Sequence, residues 1–136
     1  MTHPSLSTYG GNPVAMATAL ATVEYIERHD LAGNAARQGE RLRQHLDALP
    51  ARFPFVGEVR GMGLMQAIEV VEPGPAKRPD PARTNAFVAA ARRRGLLLGK
   101  GGMHGNCVRI APPLIVSAEE VDTAAAAIAA ALADVA

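Results

Sequence analysis

One arginine in a short aliphatic segment is the first candidate for chemistry in this sequence. Residues 108–114 read VRIAPPL, and in a strand the side chain of Arg109 faces away from those of its two neighbours. A guanidinium presents a planar fork of N–H donors that matches a carboxylate. The same position also fits two plainer roles, a solvent-exposed cation or the ion-pair partner of an internal acid such as Glu69.

A second candidate lies in residues 7–13, which read STYGGNP. Thr8 offers a hydroxyl just before Asn12 and Pro13, a pair that is typical of the start of a helix. The unpaired N–H groups of a helix start favour anions, and the two glycines allow another surface to approach closely. A capping loop without any ligand accounts for the same residues.

Three further segments favour structural roles. Residues 95–102 (GLLLGKGG) have three residues where a Walker phosphate loop has four, and Gly101 follows the lysine where that loop has Ser or Thr. Nothing around Lys100 indicates the buried environment of a Schiff-base lysine. Residues 59–64 (VRGMGL) indicate a tight turn between strands, and residues 92–94 (RRR) complement the dipole of a helix C-terminus.

Composition limits the classes of protein that this chain can be. Its 136 residues fit one domain, with residues 1–11 as an extended arm or loop and residues 12–136 as the folded part. The net charge of +1 gives no reason to expect a nucleic acid or an anionic membrane as a partner. One cysteine, Cys107, indicates a reducing, cytoplasmic compartment. The histidines and this cysteine match no metal-ligand spacing, so no metal is expected.

Hydrophobic periodicity and turn residues predict a two-layer α+β domain, in which a short, mainly antiparallel sheet packs under helices. The first helix is apolar around most of its circumference, so we expect it to be well buried. Ser117 and Glu120 form a capping box at the last helix. The predicted order is a helix at 13–28, a helix from 30 to before 50, strands at 55–63 and 64–71, a helix at 81–94, strands at 96–99 and 107–111, and a final helix after 117.

Taken together, these segments resemble class III aminotransferases of the pyridoxal-phosphate fold type I group. The resemblance rests on four stretches in the family's order and covers essentially the whole chain. Residues 99–106 (GKGGMHGN) look most like the alanine–glyoxylate and β-alanine–pyruvate branch, and 4-aminobutyrate and ornithine transaminases are close relatives. The four stretches are 7–13, 59–64 followed by Glu69, 95–106, and 108–114.

The resemblance implies a small C-terminal domain of a transaminase that uses pyridoxal 5′-phosphate and acts on amino-acid and keto-acid substrates. Thr8 matches the residue that contacts the cofactor phosphate of the neighbouring subunit, which implies a homodimer. Arg109 matches the residue that commonly receives the substrate carboxylate. The family's Schiff-base lysine lies upstream in a large domain, and Lys100 does not align with it. The chain is therefore expected to contain no catalytic residue, to lack the large domain and to be inactive alone.

Two alternatives to an enzyme part stay open. The chain could be a stand-alone carboxylate-binding module, in which Arg109 keeps its role, or a purely structural or interaction domain. An enzyme part is expected to expose a large apolar face that aggregates or dimerises, whereas a stand-alone module is expected to be soluble and monomeric.

Overall fold

A computed structural model of the chain describes residues 10–136 and shows the expected α+β architecture. Each predicted helix is present, and a short additional helix follows the second. The helices are α1 (Pro13–Arg28), α2 (Leu31–Asp47), α3 (Leu49–Arg52), α4 (Pro81–Arg93) and α5 (Ala118–Ala133). The strands are β1 (Val56–Met62), β2 (Met65–Val70), β3 (Gly99–Gly101) and β4 (Cys107–Ile110). None of the helices within residues 10–136 has the length and apolarity that crossing a membrane requires.

The chain divides into two compact units, Met1–Ala32 and Gly33–Ala136. Helix α1 of the first unit begins as predicted, because the side chain of Asn12 accepts a hydrogen bond from the Ala15 N–H at 2.9 Å. The expectation that α1 is well buried is wrong for this chain. None of its residues is buried, and Leu20 is 61% exposed. An apolar circumference indicates that a helix needs a partner surface, but not where that surface lies.

The four strands of the second unit form one antiparallel sheet in the order β1-β2-β4-β3. Gly63 closes the hairpin between β1 and β2 with φ +52°, a conformation that suits glycine. Helix α2 packs directly against this turn, since a Cβ added to Gly39 would lie 2.2 Å from the backbone carbon of Gly63. The hairpin and α2 therefore meet backbone to backbone.

Side chains on one face of the sheet form the core with α2, α4 and α5. The fully buried members include Leu42, Ile68, Phe87, Val108 and Ile128. Successive residues of a strand point to opposite faces, so the residues between these buried positions lie on the other face. That face is half-buried or exposed along β1, β2 and β4.

The third strand differs most from the sequence prediction. The structure places β3 at Gly99–Gly101 rather than at residues 96–99, so the observed and the predicted strand share only Gly99. Its position is set by pairing with β4, in which Gly99 lies opposite Arg109. Leu96 and Leu98 instead pack against the core, which explains why the leucine run resembles a strand in the sequence.

Candidate functional site

The face of the sheet opposite the helices carries a row of residues that crosses all four strands. Arg60 pairs with Ala67, Ala67 pairs with Arg109, and Arg109 pairs with Gly99. The row therefore alternates between the longest cationic side chains and the two smallest residues. The neighbouring row on the same face consists of Glu58, Glu69, Cys107 and Gly101.

Arg109 is exposed, and its guanidinium lies over Gly99 on the adjacent strand. A Cβ added to Gly99 would lie 3.3 Å from Nη2 of Arg109, so a larger residue at position 99 would crowd the guanidinium. Within residues 10–136, no hydrogen bond or ion pair involves the Arg109 side chain. Its N–H donors are consequently available to an external acid.

Arg60, by contrast, is held by three partners. Its Nη1 donates to Oε2 of Glu69 at 2.5 Å and to Oε2 of Glu58 at 2.8 Å, and its Nη2 donates to Sγ of Cys107 at 3.0 Å. The hydrogen bond with Glu69 is the main reason that the pKa of Arg60 lies above its usual value. The same contact, followed by one from Asn106, lowers the pKa of Glu69. Glu69 is thus the partner of Arg60, not of Arg109.

Asn106, the residue just before β4, fixes the position of Glu69. It is 2% exposed, and its Nδ2 donates to Oε1 of Glu69 and to the backbone oxygen of Val70, both at 3.1 Å. In the sequence, Asn106 only ends the stretch 95–106 and is not identified as a candidate site residue. Its role follows from the pairing of β2 with β4, which no local pattern reveals.

A cavity of about 430 Å³ opens on this face between the two arginines. Its volume lies in the range of small-molecule sites, roughly 300–1,000 Å³. Ala67 lies between the arginines. Met65 lies two residues before Ala67 on β2, and Cys107 lies two residues before Arg109 on β4. The complete lining is Arg60, Gly61, Met65, Gln66, Ala67, Lys100, Gly101, Gly102, Cys107 and Arg109.

The two lysines of the chain have other partners. Nζ of Lys100 donates to Oδ1 of Asn85 on α4 at 2.7 Å, and Nζ of Lys77 donates to the backbone oxygen of Gly57 at 3.0 Å. Both lysines are exposed. Thr8, the other residue that the sequence singles out, lies outside the described residues. In the part of the chain from residue 10 onward, no cluster of three or more His, Cys, Asp or Glu side chains could hold a metal.

Comparison with known proteins identifies relatives along nearly the whole chain. The sequence model described as aminotransferase class-III matches residues 3–132. A diaminobutyrate–2-oxoglutarate aminotransferase of Rhizobium meliloti is 40% identical over 130 residues, which cover 91% of this chain and 28% of that protein. Alanine–glyoxylate aminotransferase 2 homolog 2 of Arabidopsis thaliana is 38% identical over 116 residues, or 85% of this chain and 24% of that protein. An alanine/serine racemase of Pyrococcus horikoshii is 41% identical over 120 residues, or 88% of this chain and 25% of that protein.

Solved structures show the same relationship. An aminotransferase of Bacillus anthracis superposes with a TM-score of 0.89 at 34% identity, covering 97% of this chain and 30% of that one. The chain thus spans 24% to 30% of the length of these relatives. The match to the family model and the matching fold confirm the resemblance read from the sequence. The chain belongs to the class III aminotransferase family.

Proposed function

We propose that this chain is part of a transaminase that moves an amino group between an amino acid and a 2-oxo acid, and that it supplies the site for the substrate carboxylate. Most of the named relatives are aminotransferases, which supports this reaction over racemisation. The observation that supports this proposal most directly is the position of Arg109. Its guanidinium lines a cavity and has no hydrogen-bond or ion-pair partner in residues 10–136.

Pyridoxal 5′-phosphate is the cofactor of the complete enzyme, as it is throughout class III aminotransferases. The described residues do not fit covalent attachment of this group. Lys77 and Lys100 are exposed and donate to Gly57 and Asn85, so neither is enclosed in a site that would activate its amine. Because the chain has no other lysine, we propose that its 136 residues are inactive alone and that a large domain contributes the catalytic lysine.

The carboxylate role of Arg109 is tested by Arg109→Lys in the complete enzyme. Lysine keeps the charge but loses the bidentate fork, so KM for the amino acid should rise about tenfold or more, the equivalent of one strong hydrogen bond. Arg93→Lys, on the exposed end of α4, is the matched control and should leave KM unchanged. An unaltered KM for every carboxylate substrate of the Arg109→Lys enzyme would remove this assignment.

The proposed assembly is a homodimer in which Thr8 contacts the cofactor phosphate of the neighbouring subunit. The motif at residues 7–13 and the family membership support this role. Thr8→Ala should weaken retention of the cofactor during dialysis, because a hydrogen bond to a charged phosphate is lost. Equal retention by the variant and the parent enzyme would argue against the contact.

The exposed side of α1 supports the interface part of the proposal. Val14, Leu20 and Val23 are 76%, 61% and 52% exposed, which is unusual for an apolar helix in a finished assembly. We propose that the large domain or the second subunit covers this helix. A cytoplasmic location is also proposed, since Cys107 is a free thiol.

A further inference from the structure

Ala67 occupies an unusual position in the sheet. It lies at the centre of β2 with an arginine directly opposite on each side, Arg60 on β1 and Arg109 on β4. Alanine is depleted in strands, where β-branched and aromatic side chains pack better against their cross-strand neighbours. A residue that departs from local preference in this way is a sign of a functional requirement.

The geometry shows what the small side chain leaves open. Neighbouring strands lie about 4.8 Å apart, so the Cα atoms of Arg60 and Arg109 are separated by about 10 Å across Ala67. The side chain of Ala67 ends at its Cβ, so β2 places no further side-chain atom in the gap between the two arginines. The cavity of about 430 Å³ lies over this position.

Only one of the two arginines can receive an acid in this cavity. Arg60 already donates to Glu58, Glu69 and Cys107, and displacing it would leave the carboxylate of Glu69 without its main partner. Arg109 has no such partner in the described chain. Arg109, Ala67 and Arg60 line the same cavity, so an acid that Arg109 holds and that extends along this cavity passes over Ala67 toward the fixed Arg60.

We propose that Ala67 determines the size of the acid that Arg109 accepts. The proposal rests on the carboxylate role of Arg109 stated above and adds a specificity-determining residue to it. The acids concerned are small 2-oxo acids and their amino acids, whose side chains pack on the Cβ of Ala67. A larger residue at this position shortens the cavity without changing the charge of its walls.

The test compares Ala67→Val and Ala67→Gly in the complete enzyme. Valine suits a strand better than alanine, so the fold should tolerate it. The quantity measured is kcat/KM for straight-chain 2-oxo acids of increasing length, from glyoxylate through pyruvate to 2-oxohexanoate. Since one methylene in a pocket changes discrimination by roughly 10–200-fold, Ala67→Val should lower kcat/KM for the longest accepted acid at least about tenfold relative to the shortest.

Ala67→Gly should raise kcat/KM for the longest accepted acid relative to the shortest. This variant tests the size role of Ala67 if the valine variant does not fold. Ala86→Val, on the exposed side of α4, is the matched control and should leave the ratio unchanged. If both Ala67 variants keep the parent ratio while Arg109→Lys still raises KM for every acid, the size role of Ala67 is wrong and the carboxylate site stands. If Arg109→Lys has no effect, the proposed function itself is wrong.

Discussion

Helices α1 and α5 are each 16 residues long, and each begins at a side-chain cap, Asn12 for α1 and Ser117 for α5. Both are rich in alanine and aliphatic residues. Helix α5 nevertheless buries part of its surface in the core, whereas no residue of α1 is buried. The buried residues of α5 are Val121, Ala125, Ile128, Ala131 and Leu132.

The difference separates two meanings of an apolar helix. In α5 the apolar surface packs within the Gly33–Ala136 unit, so this helix stabilises the chain itself. In α1 the same kind of surface remains exposed, so it does not contribute to a core here. Composition predicts that both helices need a surface to pack against, and the structure shows that only α5 buries residues in this chain.

Truncation of one leucine-sized side chain in each helix should show this difference most strongly. Ile128→Ala removes a fully buried side chain from α5 and should lower the free energy of unfolding by about 2–5 kcal/mol. Leu20→Ala removes an exposed side chain from α1 and should change it by less than about 0.5 kcal/mol. Urea unfolding of the 136-residue chain measures both. Equal losses for the two variants would contradict the comparison.

The contact between α2 and the β1–β2 hairpin gives the next largest expected loss of stability, because no space separates Gly39 from Gly63. Gly39→Ala puts a Cβ of α2 2.2 Å from the backbone of Gly63, so α2 and the hairpin must separate. Overpacking of this kind should destabilise the chain by about 1–3 kcal/mol, despite the better helix propensity of alanine. Ala36→Gly, on the exposed side of the same helix, is the control and should show only the propensity loss. An increase in urea midpoint for Gly39→Ala would show that the two backbones are not in contact.

Assembly offers a direct way to break the contrast between α1 and α5. If the large domain or a second subunit covers α1, then Leu20→Ala should lower the thermal midpoint of the complete enzyme although it leaves the isolated chain unaffected. Thr123→Ala, at an exposed position of α5, controls for effects at the surface. A midpoint that is unchanged in both contexts would mean that Leu20 stays exposed in the assembled enzyme.

The features that the sequence predicts well are local ones. Asn12 caps α1, Ser117 and Glu120 form the capping box of α5, and Gly95 follows α4 with φ +78°. Each depends on residues that are at most a few positions apart, so the pattern alone is sufficient. The strand that contains Arg109 is also predicted correctly for the same reason.

The features that the sequence does not predict depend on pairing between distant segments. Arg109 can be identified as a candidate from its own strand, but its row with Ala67 and Gly99 follows from the register of three strands. A shift of one residue would place Ala67 on the other face of the sheet. The assignment of Glu69 to Arg60 rather than to Arg109 has the same origin.

An exposed ion pair between α2 and α5 gives the smallest expected effect, and it depends on pH. Asp122 on α5 accepts hydrogen bonds from Nε and Nη2 of Arg41, both at 2.6 Å, and lies 3.0 Å from Nε2 of His45. The hydrogen bonds from Arg41, then that with His45, lower the pKa of Asp122 to about 2. A carboxyl group whose pKa is lower in the folded state stabilises the fold above its unfolded pKa, about 3.9 for aspartate.

This contribution should therefore be present at neutral pH and disappear as the pH falls from about 4 to about 2, where the carboxylate is protonated. Because the pair is exposed, the loss should be small and should decrease further in high salt. Asp122→Asn should lower stability slightly at pH 7 and flatten the dependence of the urea midpoint on pH between these limits. Glu119→Gln, one turn earlier on α5, should keep the steeper dependence, since within the described residues no hydrogen bond or ion pair joins the Glu119 side chain to α2. Parallel pH curves for the parent chain and Asp122→Asn would show that Asp122 does not link α5 to α2.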